Sequence, residues 1–153
     1  MSEQKAKRDK VGTSKLYEKL FKADTLQQFL SKNGDELQPP PFHEYITQLC
    51  HERGEVPERV IKRANIETSY GHQIFKGVRR PSRDTVLQLA FGLEADVDTA
   101  QRMLKYAQKS QLYPRIKRDA AVLYCLHNDI PFLKAQALLH DLELTPLGES
   151  PKK

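Results

Sequence analysis

Apolar residues in this chain recur at helical spacing, and no stretch alternates in the way a half-buried strand requires. Phe42, Tyr45, Ile46, Leu49 and Cys50 fall at i, i+3, i+4, i+7 and i+8, which predicts one buried helix face ended by Gly54. Pro57 suits the first turn of a second helix burying Val60, Ile61 and Ala64, because a first turn leaves its N–H unused anyway. A polar helix follows, and Ser82 then caps a fourth that buries Val86, Leu87, Leu89, Ala90 and Leu93, with Asp84 in its first turn. A fifth starts after Asp96 or Asp98 and carries Met103, Leu104 and Ala107. Beyond Leu112-Tyr113-Pro114 the inward residues are read as Ile116, Ala120, Leu123, Tyr124 and Cys125, with a turn at Asn128-Asp129. A last helix, Pro131 to Leu142, contains Phe132, Leu133, Ala135, Leu138 and Leu139; Leu133 and Leu139 are equal candidates to complete the core.

Upstream, Leu16, Leu20, Phe21, Leu26, Phe29 and Leu30 suggest one or two short helices, with Asp24 as an N-cap and Asn33-Gly34 as a stop. Residues 1–15 lack the periodicity to bury a face and are expected to be a disordered basic tail. The expected organisation is therefore all-α. It comprises a helical extension with a Pro-rich connector (16–41), a core (42–110), a helical hairpin packed on that core (111–148) and a flexible tail (149–153). No internal repeat is read.

The segment from Val60 to Ser82 carries most of the functional information. Asn65 stands where a tight turn between helices needs a residue that tolerates positive φ, and Gly77 where a helix ends in the left-handed conformation. Between them the outward face offers Thr68, Ser69, His72, Gln73 and Lys76, which are donors or acceptors that can meet base edges in a major groove.

The 25 Lys+Arg against 20 Asp+Glu give a net charge of +5, mild support for an anionic partner. Its distribution says more. Lys62, Arg63, Lys76, Arg79, Arg80 and Arg83 face only Glu67 as an acid, and the stretch 102–118 is basic without an acid. Arg79 and Arg80 are either solvated loop charges or phosphate clamps, and their place beside the glycine stop favours the clamp. His72 is open to three readings: a base contact, a protonation switch or an exposed helix residue. Tyr106 and Tyr113, near Lys105, Lys109 and Arg115, mimic an aromatic-basic surface, although core packing suits both better. The arm Lys5 to Lys10 suits either a minor groove or a solubilising role.

No apolar run approaches the ~20 residues a membrane span needs, and the polar start lacks a secretory pattern, so a cytosolic protein with reduced cysteines is expected. Cys50 and Cys125 then read as small core residues. His43, His51, His72, His127 and His140 have no metal-ligand spacing with them, and no strand precedes a glycine-rich phosphate loop. Neither an enzyme nor a cofactor or metal site is expected.

Ile61, Ala64, Ile66, Ser69, Ile74, Gly77, Arg79, Pro81, Ser82, Leu87, Leu89, Ala90 and Leu93 resemble the pattern of lambda-repressor-like (XRE-type) helix-turn-helix regulators over residues 42 to about 93. The span from Asp24 to Leu147, including Tyr70 to Phe75 and Leu112 to Arg115, also looks like a bacterial group known only as transcriptional regulators. The resemblance implies a five-helix DNA-binding core whose second helix crosses the phosphate backbone and whose third enters the major groove. On that basis Thr68, Ser69, His72, Gln73 and Lys76 read bases, with Gln73 the foremost specificity residue, while Lys62, Arg79, Arg80 and Arg83 bind phosphates. It further implies a homodimer on double-stranded DNA. The helices after Pro114 are offered as its interface, with Leu133 or Leu139 equally suited to completing the core of the monomer instead.

Three places depart from the family pattern. Gly71 replaces a β-branched residue and is expected to let the second and third helices approach closely, with Tyr70, Ile74 and Ile66 as the buried stripe. Val56 replaces a capping Ser or Thr, and Pro57 beside it stands in place of a phosphate-binding polar residue, which weakens a backbone contact there. Phe75 replaces a polar residue and is expected beneath the Arg79-Arg80 loop. Gly71 and Val56 favour the rival reading, a helical protein-interaction module such as an antitoxin or adaptor. RNA binding is a weaker third, because a platform of stacking aromatics is missing.

Overall fold

The computed structural model describes residues 13–34 and 39–149; the basic arm and residues 150–153 lie outside them. The described residues form nine helices and no strand, as the all-α reading expects. They fall into two compact units, residues 1–39 and 40–153.

In the first unit, α1 (Thr13–Lys22) precedes α2 (Leu26–Lys32). Helix α1 starts inside the segment expected to be disordered, and it pairs the rings of Tyr17 and Phe21 one turn apart, with centroids 5.9 Å apart. The cap of α2 is Thr25, not Asp24. Thr25 immediately precedes the first helical residue with extended backbone and accepts the Gln28 N–H at 3.1 Å, whereas Asp24 lies one residue too early. Asn33 closes α2 by donating its side-chain N–H to Phe29 O at 2.9 Å.

The second unit contains α3 (Phe42–Glu52), α4 (Pro57–Arg63), α5 (Thr68–Phe75), α6 (Arg83–Gly92), α7 (Val97–Tyr106), α8 (Lys117–His127) and α9 (Phe132–Asp141). Helix α6 is central, because it is buried from Thr85 to Gly92 on all sides, with its polar Gln88 satisfied by the Ala64 carbonyl. It packs against α4, α7 and α9, while α5 packs on α3 and α4, and α3 on α7. The caps fall at Ser82 and Asp96, each accepting the N–H three residues on. Tyr106 joins the core by packing on Tyr45 at 4.3 Å between ring centroids, but Tyr113 is exposed, contrary to its expected burial.

The structure contains an internal duplication that the sequence reading missed. Residues 83–113 and 118–148 are helical hairpins whose polar contacts recur 35 positions apart. Arg83 donates to Ser110 O and Gln111 O, as Arg118 does to Thr145 O and Pro146 O. Gln101 exchanges two hydrogen bonds with the Leu112 backbone, as Gln136 does with Leu147. The hairpins then exchange charges: Arg83 forks onto Asp119 at 2.9 and 3.1 Å, and Arg118 onto Asp84 at 2.8 and 2.9 Å. Tyr113 N–H donates to Asp119, and Gly148 N–H to Asp84. Reciprocal exchange of this kind is what a two-fold axis between the hairpins requires.

Asp119 turns inward to reach Arg83, and this rotates α8 away from its expected orientation. Its buried residues are Asp119, Val122, Cys125 and Leu126, leaving Ile116 and Tyr124 exposed. Of the two leucines proposed for the core of α9, Leu139 is buried and Leu133 is 72% exposed. Cys50 and Cys125 are free, buried thiols whose burial raises their pKa, to about 11 for Cys50, so they act as small core residues.

Burial raises the Asp84 carboxyl, but hydrogen bonds from Arg118 and Gly148 and the charges of Arg118 and Arg83 outweigh it and leave the pKa below its ordinary value. Asp96 is lowered by its hydrogen bonds to Thr99. A carboxylate held low in the folded state contributes stability above the unfolded value of about 3.9 and loses it as pH falls through the folded value. Urea unfolding is therefore expected to show stability constant near neutrality and declining below about pH 4. Asp84→Asn should make that decline shallower; an identical acid profile would contradict this origin.

Candidate nucleic-acid interface

The turn between α4 and α5 is built as its residues predict. Asn65 has φ +57° and Gly77 has φ +80°. A Cβ on Gly77 would also strike the His43 ring at 2.7 Å, so glycine there serves both the backbone and the neighbouring side chain. Gly71 acts as expected: a Cβ there would lie 2.5 Å from Ile61 Cγ2, so its absence lets α4 and α5 touch. Val56 occupies the α4 N-cap with no side-chain hydrogen bond.

On α5, Thr68, Ser69 and Lys76 are exposed, and His72 and Gln73 are half-buried. Ile74 and Phe75 are buried beneath them, while Tyr70 and Ile66 are only half-buried. The loop after Gly77 folds back on the helix end, with Val78 N and Arg79 N both donating to Gln73 O at 2.9 and 3.3 Å. This brings the Arg79 guanidinium over the Tyr70 ring, 5.8 Å from its centroid, a cation–π contact that orients the charge beside the polar face. Arg80 is exposed in the same loop.

Two of the expected phosphate ligands are placed otherwise. Arg83 commits its guanidinium to Asp119 and to the carbonyls of Ser110 and Gln111, so it is withdrawn from the phosphate set. Lys62 is exposed on the wall of a cavity facing the last hairpin. The matching Arg-Asp pairs at 83–84 and 118–119 were the signal in the sequence for Arg83's role.

Glu67 is the residue whose part was overlooked. It caps α5, its carboxylate accepting Ser69 N–H and Tyr70 N–H at 2.9 Å each, and those two bonds hold its pKa below the ordinary value. Its position directly before a helix, among bases only, was the available clue. The polar helix thus carries a negative charge at its start and positive charges at its end.

Set against family models, curated proteins and solved structures, the chain finds no match. Among the described residues no helix is long and apolar enough to cross a membrane, and no three His, Cys, Asp or Glu side chains gather as metal ligands would.

Proposed function

We propose that this chain is a lambda-repressor-like, sequence-specific regulator that binds double-stranded DNA in the cytosol as a homodimer. The observation that carries the reading is the open polar face of α5, bordered at one end by Lys76, Arg79 and Arg80, with Arg79 oriented over Tyr70. The order α3 to α7, with α5 packed on α3 and α4 and α7 returning to α3, supports the five-helix arrangement. In this reading Gln73 offers adenine a paired donor and acceptor, Lys76 approaches guanine or phosphate, and Thr68, Ser69 and His72 add contacts. Arg79 and Arg80 neutralise phosphates. One such helix reads few base pairs, so two half-sites about one DNA turn apart complete the site.

Glu67 favours the rival reading, a protein-interaction module, because a carboxylate at the start of α5 repels phosphate. The test begins by selecting bound sequences from random duplex DNA. Gln73→Ala with Lys76→Ala should then weaken specific binding by roughly ten- to hundredfold, the worth of a bidentate base contact, and affinity should fall steeply with added salt. Glu67→Gln, which keeps an oxygen for the helix cap, should tighten DNA binding. Specific retention indifferent to Gln73 and Lys76, or affinity indifferent to salt, would overturn the proposal.

A further inference from the structure

Opposite the Arg-Asp clasp, the two duplicated hairpins meet again. Helices α6 and α8 run from the clasp to a partly open cavity of about 640 Å³, within the range of small-molecule sites. Equivalent residues of the two hairpins line it: Phe91 with Leu126, and Glu94 with Asp129. Phe132 and Leu133 extend the apolar wall, which accounts for the exposure of Leu133. Glu94 and Asp129 both sit in left-handed turns, with φ of +54° and +55°, just beyond the C-terminal ends of α6 and α8.

Glu94 and Asp129 line this cavity just past the C-terminal ends of α6 and α8, where the last carbonyls of α6 are covered, Gly92 O by Arg63 and Leu93 O by Arg53. Arg63 on the opposite wall is committed to Glu55 at 2.6 Å and to Gly92 O at 2.9 Å, which leaves Lys62 as the one ammonium. Among the described residues no ion pair joins Lys62 to Glu94 or Asp129. With Arg63 paired to Glu55, the carboxylates of Glu94 and Asp129 are the anionic groups of this lining above an apolar floor, and their complement is a molecule with an apolar body and a single cationic nitrogen.

We propose that this cavity binds such a molecule, its body against Phe91, Leu126 and Phe132 and its nitrogen between Glu94 and Asp129. Lys62 and Asn65 of the helix-turn-helix segment form part of the same wall, so an occupant touches the element that positions α5. That regulatory consequence rests on the DNA-binding reading above; the binding itself does not.

The experiment uses the full chain without DNA and three probes sharing one ring system: 2-(1-naphthyl)ethylamine, 2-(1-naphthyl)ethanol and 1-naphthylacetate. Titration followed by calorimetry or amide chemical shifts should show the amine binding about five- to tenfold tighter than the alcohol, with the carboxylate weakest. In Glu94→Gln/Asp129→Asn, at two exposed positions where the fold is retained, the amine should bind like the alcohol. Failure of all three probes to bind at millimolar concentration, carboxylate binding as tight as the amine's, or an amine preference that survives the double variant would each overturn the proposal. Adding the amine to the selected DNA complex is a separate measurement. Unchanged DNA affinity with intact amine binding removes only the regulatory step, and failure of DNA selection leaves the cavity result standing.

Discussion

Alanine at Gly92 is expected to destabilise the fold by about 3 kcal/mol or more, lowering Tm by roughly 10–15 °C, although alanine is the better helix former. Helix α6 crosses α4 at this point, and a Cβ on Gly92 would meet the Val60 carbonyl oxygen far inside van der Waals contact, with Ala64 Cβ only 3.1 Å away. The obstacle is backbone, which no rotamer change relieves, so the helices must separate. Separation would also pull Gly92 O from Arg63 Nε, now at 2.9 Å, and Gln88 Nε2 from Ala64 O, now at 3.0 Å. Gly71→Ala is the control. There the obstacle is the Ile61 side chain, so Ile61→Ala should remove most of the clash and make the double variant less damaged than the single effects sum to. Thermal and urea unfolding measure both. A neutral Gly92→Ala would show that α4 and α6 do not approach so closely.

Asp119→Ala is expected to cost about 3–5 kcal/mol, the typical penalty for removing one partner of a buried, hydrogen-bonded ion pair. Asp119 is 3% exposed and accepts three hydrogen bonds, two from Arg83 and one from Tyr113 N–H. Its loss leaves a half-buried guanidinium short of its carboxylate and a backbone donor without a partner. Asp84→Ala, at the equivalent place in the other hairpin, should cost less, because both side chains of its pair with Arg118 are about one-fifth exposed. Replacing both partners, as in Arg83→Met/Asp119→Leu, should recover part of the loss. Recovery stays incomplete because Arg83 also ties down the Ser110 and Gln111 carbonyls. Urea midpoints decide the order; equal effects at Asp119 and Asp84 would show that burial does not set the strength of the clasp.

The duplicated hairpins show why the clasp was hard to read in sequence. Its polar anchors are retained as Arg83/Arg118, Asp84/Asp119 and Gln101/Gln136, but the apolar positions have changed size, as in Phe91/Leu126 and Ala95/Ile130. A repeat reduced to a few anchors does not register as periodicity. The burial of Asp119 was missed for a related reason: a pattern reading places carboxylates outward, and only the arginine thirty-six residues earlier reverses that. Within the candidate interface, Thr68, Ser69 and Lys76 lie exposed on the face the spacing predicts. Arg83 was assigned to phosphate because its partner comes from a distant helix.

Local chemistry alone determined the all-helical class, the Asn65 and Gly77 turns, the Ser82 cap and the polar face of α5. Each depends on residues within about one helical turn, where backbone geometry and side-chain hydrogen bonding act directly. Tertiary structure decided the rotation of α8, the withdrawal of Arg83, the placing of Lys62 on a cavity wall and the cavity itself. Those outcomes depend on which distant groups share a buried space, where an unpaired charge is too costly to tolerate and the helices must turn until it is matched.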